Sequence, residues 1–141
     1  MRLWHYKLIP FLPKSQLVAQ WRELNCIFKN KSRHILINYI YEYPKENLYR
    51  YSMYVLREMS ARNYTVRSYD NFNDYFIDID TSKAFNSGSN PFPNHHDDRY
   101  LLQCYFNLQE KYDRGQKDFS EEQYKRLENS IIDIIKKGSK I

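Results

Sequence analysis

The stretch Lys14-Ser15-Gln16-Leu17-Val18-Ala19-Gln20-Trp21-Arg22-Glu23-Leu24-Asn25-Cys26-Ile27-Phe28-Lys29 decides the fold. Leu17, Trp21, Leu24 and Phe28 fall at i, i+4, i+7 and i+11, one face of a helix. Pro10 and Pro13 mark a turn before it, and the basic run 29–33 ends it. The first nine residues lack helical periodicity and read as an extended N-terminal segment.

Downstream, 34–43 is dense in Ile, Leu and Tyr, and is either a buried extended segment or a short helix. Pro44 suits the first turn of a second helix over 44–62, with Leu48, Tyr51, Val55 and Met59 as its apolar face. Residues 64–66 read as a short extended exit. Residues 67–94 then read as one long irregular loop. Asn, Asp and Ser dominate it, and 87–93 is turn chemistry throughout. Its Asp70, Asp74, Asp78 and Asp80 lack the glycine and terminal Glu of a calcium loop, so a solvated loop is expected. A third helix fits 97–112, with Leu101, Tyr105, Leu108 and Tyr112 in phase and Gly115 as its stop. A fourth, over 120–137, opens on the capping box Ser120-Glu121-Glu122-Gln123 and is closed by Gly138. The expected fold is mainly α: a compact single domain, 1–141, of three to four helices.

Composition narrows the function. The chain has 141 residues, the length of one domain, and a chain of that size buries roughly 70% of its unfolded surface. Cys26 and Cys104 fit neither a disulfide scaffold nor a zinc-finger spacing. No apolar run is long enough to span a membrane. Lys7 and Pro10 break the N-terminal apolar run, so no signal peptide is read and a cytoplasmic location is expected. Three glycines exclude Gly-rich phosphate loops. The net charge of +5 is uneven: residues 1–69 carry 12 Lys and Arg against 4 Asp and Glu, whereas 70–141 carry 10 against 13. A basic half rich in aromatics suits phosphate contact with base stacking, and a solvated basic surface is the alternative.

On a helical wheel, Glu23 lies about 200° from Trp21, beside Ala19 and away from the core, with Arg22 between them. The pattern alone reads as an exposed Arg-Glu pair. Beyond the pattern, 14–24 resembles the first helix of the pyrimidine-dimer DNA glycosylases of the phage endonuclease V type. The shared elements are Leu17, Ala19, an aromatic at 21 and the run Arg22-Glu23-Leu24. The opening Met1-Arg2-Leu3 is similar to the start of those enzymes. His34 with the helix that ends near Arg62-Asn63-Tyr64 resembles their second-helix region. Leu108-Gln109-Glu110-Lys111 resembles part of their last long helix. The resemblance covers roughly 1–66 and 95–112.

The resemblance implies a glycosylase with AP-lyase activity whose nucleophile is the N-terminal α-amine. An α-amine titrates near 7.7–8.0, so an appreciable fraction is neutral at physiological pH, unlike lysine. It implies Met1 as the amine, Glu23 as the carboxylate, and Arg2, Arg22 and Lys111 as phosphate contacts; neighbouring Lys29, Lys31 and Arg33 are further basic candidates, and His34 is a further substrate contact. Arg at position 2 opposes removal of the initiator Met, which leaves Met1 in the nucleophile position. Cys26 and Asn107 stand where the family has basic residues, and the helix 120–137 stands in place of its aromatic C-terminal segment. Neither cofactor nor metal is implied. The expected partner is double-stranded DNA with damaged or abasic sites, bound by a monomer.

Two other readings stay open. One is a non-catalytic nucleic-acid-binding module on the same scaffold. The other is a metal-dependent nuclease using His95-His96-Asp97-Asp98, with His34 as a further candidate ligand, although Asp97 or Asp98 is also a natural helix cap. Cys26 and Cys104 sit in amphipathic patterns and read as packed residues rather than nucleophiles. His5 either lies beside the amine or packs with Trp4 and Tyr6.

Overall fold

Two prolines set where the first two long helices begin. Pro13 and Pro44 hold extended ψ angles of 158° and 152°, and helical geometry starts at the next residue in each case. The computed structural model describes residues 1–84 and 89–139. Its α-helices are α1 (Lys14–Asn30), α2 (Lys45–Ala61), α3 (Asp70–Tyr75), α4 (Thr81–Ala84), α5 (Asp98–Asp113) and α6 (Glu121–Ser139), with 3-10 turns at Tyr6–Phe11 and Asn38–Glu42. No strand occurs among the described residues. The mainly α reading therefore holds.

The helix ends follow local chemistry. Lys31 closes α1 in the left-handed region at φ 50°, its N–H bonded to the Ile27 carbonyl. Asn63 at φ 61° closes α2, with Tyr64 N–H bonded back to Met59. Gly115 at φ 84° stops α5 as expected; a Cβ there would meet nothing, so backbone conformation alone favours glycine. Asp97 caps α5 by accepting the Tyr100 N–H at 2.9 Å. The capping box of α6 forms in both directions between Ser120 and Gln123, at 2.8 and 3.1 Å. The helix runs past Gly138 to Ser139, so that glycine does not close it.

The core is continuous. Leu17, Leu24 and Ile27 of α1, Tyr51 and Val55 of α2, Leu101 and Leu108 of α5, and Leu127 of α6 are sealed from solvent together with Leu3 and Leu8. Each such aliphatic side chain is worth about 1.5–3 kcal/mol of burial. α1 packs between α2 and α3, while α5 packs on α6 and the first 3-10 turn.

Two expectations change and one open alternative is settled. Residues 6–11 are not extended: the 3-10 period is three, so Pro10 fits and the apolar residues show no 3.6-residue recurrence. Residues 67–94 are not one irregular loop. Phe72 and Phe76, at i and i+4, anchor α3 against Phe28 and Trp21, and Phe92 is fully buried. The start of the expected turn, Ser87-Gly88, lies outside the described residues. For 34–43 the short-helix alternative holds in part: a turn leads into the 3-10 segment Asn38–Glu42, Ile37 is sealed in the core, and Ile35 and Leu36 are exposed.

Candidate active site

Gln20 builds the site. It is fully buried on α1, between Leu17 and Leu24. Its Oε1 accepts the Trp4 N–H at 2.8 Å and the Tyr51 hydroxyl at 2.9 Å. Its Nε2 donates to the Arg2 carbonyl at 3.1 Å and to Glu23 Oε2 at 3.4 Å. Tyr51 also donates to the Trp4 carbonyl at 2.6 Å. One carboxamide and one phenol thus clamp residues 2–4 along α1, with every buried polar atom of the clamp satisfied.

The clamp lays the chain start over Glu23. The Met1 ammonium, Arg22 and the backbone N–H of Arg2 all favour the charged form of the Glu23 carboxylate. Burial nonetheless dominates and makes this carboxyl a weaker acid than an ordinary glutamate; those three cationic or donor groups partly offset it. Glu23 is half-buried, not turned to open solvent as the wheel suggested, because residues 1–4 cover that face of α1. Met1 remains exposed.

The structure brings Met1, Arg2, Arg22 and Glu23 together. Arg2 turns inward. Its guanidinium lies 5.5 Å from the Trp4 ring and 6.0 Å from the Tyr100 ring, and donates to Cys104 Sγ at 3.7 Å. Arg22 is exposed and lines a groove of about 740 Å³ between α1 and residues 63–68, beside Lys14 and Arg67. Lys111 lies two turns beyond Cys104 on α5, in a shallow depression shared with Asn107 and Arg114. Lys29 sits in the last turn of α1, and His34 follows four residues after the helix ends.

The cluster 95–98 does not converge on a metal. His96 is buried; its Nδ1 accepts the Tyr6 N–H at 3.2 Å and its Nε2 lies 2.7 Å from the Tyr39 hydroxyl. His95 contacts the Tyr43 hydroxyl at 2.8 Å and Glu42 at 3.4 Å, and Asp97 is the α5 cap. No group of three potential metal ligands occurs among the described residues. His5 packs rather than facing the amine, stacking on Tyr6 and His96. Its Nδ1 accepts from Lys7 N–H, so its Nε2–H donates to the His96 carbonyl at 3.0 Å. Burial pulls His5 down to about 4 and His96 to about 2, so both rings are neutral at pH 7. Cys104 is sealed in the core and burial raises its thiol, which leaves it poorly suited to nucleophilic work.

Sequence reasoning missed Gln20 and the Tyr51 hydroxyl. The signal existed: Gln20 is in phase with the core stripe, three residues after Leu17 and four before Leu24. A polar side chain at such a position needs buried partners.

The family model for pyrimidine dimer DNA glycosylases matches residues 1–71 of this chain. The matched region contains Met1, the clamp and Glu23, and it ends within α3. No curated protein and no solved structure gives a significant match. No helix among the described residues is long and apolar enough to cross a membrane.

Proposed function

The chain belongs to the pyrimidine dimer DNA glycosylase family, and from that premise we propose that it is a DNA glycosylase with AP-lyase activity acting through the Met1 amine. The observation that carries this reading is the clamp, which sets the chain start against a half-buried carboxylate.

In the proposed reaction the neutral Met1 nitrogen attacks C1′ of the damaged nucleotide. The bond from C1′ to the base breaks and its electron pair leaves with the base. Loss of the proton from nitrogen and opening of the sugar ring give a protonated imine. Removal of a C2′ proton then expels the 3′ phosphate, and water releases the product. Glu23 stabilises the cationic sugar and moves these protons. Its raised proton affinity suits that role, because a carboxyl that protonates more readily is a better proton carrier near neutral pH.

Arg22 and Lys111 hold phosphates around this centre, with Lys29 and His34 extending the contact along the duplex, while Arg2, whose guanidinium lies against Trp4, Tyr100 and Cys104, reaches a phosphate only by turning outward on binding. The partner is double-stranded DNA carrying a damaged or abasic site, bound by a monomer. Chemistry at C1′ requires a base to leave the stack. Borohydride reduction in the presence of an abasic oligonucleotide tests the reading. A covalent adduct supports it; DNA binding without an adduct, from protein with a free N-terminus, leaves only a binding module.

A further inference from the structure

Ile35 and Leu36 stand out on the surface. Ile35 is 85% exposed and Leu36 42%, while their neighbour Ile37 is fully buried. Two adjacent aliphatic side chains project from a turn whose next residue is anchored in the core.

The turn is held firmly. The His34 N–H donates to Asn38 Oδ1 at 2.8 Å, and the His34 carbonyl accepts from both Ile37 and Asn38 at 2.9 Å. Leu36 N–H donates to His34 Nδ1 at 3.2 Å. Upstream, Ser32 is fixed by its bond to the Cys26 carbonyl and by the Tyr41 hydroxyl, and Arg33 lies 4.7 Å from the Tyr41 ring. Ordering this tip on contact therefore costs little entropy.

The charge around the tip selects its occupant. Lys29, Lys31 and Arg33 immediately precede it, and none makes an ion pair among the described residues. The other strongly exposed aliphatic, Ile77 at 83%, sits instead among Asp74, Asp78 and Asp80, where a phosphate backbone is repelled. An apolar point ringed by cations matches the wedges that proteins insert between base steps, with basic residues gripping the flanking phosphates. Asn30, where α1 ends shortly before the tip, lies seven residues beyond Glu23, about 10 Å along the helix.

We propose that Ile35 and Leu36 form an apolar wedge that enters the duplex beside the lesion and unstacks it, while Lys29, Lys31 and Arg33 hold the phosphates on either side. This rests on the proposed function and assigns its DNA-deforming element.

The test uses the full chain with a duplex containing a tetrahydrofuran abasic analogue and 2-aminopurine at steps flanking it. Wild-type protein should raise 2-aminopurine fluorescence on binding. The double variant Ile35→Ala/Leu36→Ala should lose most of that rise and bind the duplex about tenfold more weakly. Its melting temperature should stay close to wild type, because the side chains removed are exposed. In Ile35→Trp, added emission that is quenched on duplex binding places position 35 among bases. Trapping of a single-stranded abasic oligonucleotide, which needs no unstacking, should be unchanged in the double variant. Unchanged fluorescence and duplex affinity in that variant, with wild type still trapping, overturn the wedge and leave the proposed function standing. Failure of wild type to bind or trap any abasic DNA overturns both. A variant that changes self-association by sedimentation, but not DNA binding, assigns the patch to a second copy and overturns the wedge.

Discussion

Gln20, wholly buried on α1, accepts the backbone N–H of Trp4 at 2.8 Å. That bond fixes where the chain start lies. Replacing Gln20 with Leu keeps the volume and leaves the Trp4 N–H and the Arg2 carbonyl without the bonds Gln20 makes to them, while the Tyr51 hydroxyl keeps the Trp4 carbonyl as its acceptor. Each buried group left unpaired costs about 1–3 kcal/mol. Gln20→Leu should lose about 2–4 kcal/mol in urea unfolding. It should also slow adduct formation more than it weakens DNA binding, because the amine is no longer held. Stability within 0.5 kcal/mol of wild type, on the order of a neutral surface change, argues against the clamp.

Glu23→Gln separates chemistry from folding. Lyase turnover should fall by about 10²–10⁴ if the carboxylate moves protons. Stability should move the other way. Burial raises the folded-state proton affinity of Glu23, so the folded state holds its proton more tightly than the unfolded state. Ionising it in the fold is therefore unfavourable, and stability falls as pH rises from 4.5 through the raised value. The variant should melt slightly higher than wild type at pH 7, by no more than about 3 °C, and the gain should vanish near pH 4. Full turnover in this variant removes Glu23 from the mechanism.

Not all of this was open to sequence reading. α1, α2, α5 and α6 are long and regular, so their apolar residues repeat often enough to be counted, and the caps at Asp97, Ser120 and Gly115 carry their own chemistry. α3 is six residues long and gives one i, i+4 pair, Phe72 and Phe76, in an Asn- and Asp-rich stretch. The first 3-10 turn has the wrong period. The juxtaposition of Glu23 with residues 1–4 had no local signal, because the wheel describes one helix and cannot show what a distant segment covers. The family resemblance of the Arg22-Glu23-Leu24 run supplied that pairing.

The buried histidines make stability pH-dependent. His5 titrates near 4 in the fold against 6.5 unfolded, so the unfolded chain binds the extra proton. The stabilisation is complete above pH 6.5 and is lost as pH falls toward 4, where His5 alone accounts for about 3 kcal/mol. His96 acts in the same direction, and Glu23 opposes it. The urea midpoint should drop over this range, and His5→Gln should flatten the profile. A wild-type midpoint that is flat from pH 6.5 to 4.5 contradicts neutral, desolvated rings.

Phosphate contact has a salt signature. If Arg2, Arg22, Lys111, Lys29 and one further cation each neutralise a phosphate, log K against log salt should slope near −4 to −5. Arg22→Ala should reduce the slope by about one, as should Lys111→Ala. A slope near zero means that the basic half only solvates the protein.

The central claim is that the Met1 nitrogen is the nucleophile, and peptide mapping of the borohydride-trapped adduct tests it most directly. The protein, with its free N-terminus verified by mass, is reduced in the presence of an abasic duplex and digested. The expected result is a sugar-derived mass on the Met1 α-nitrogen, lost when the N-terminus is acetylated or extended while DNA binding persists. An adduct on a lysine side chain, or tight binding with no adduct at all, contradicts it.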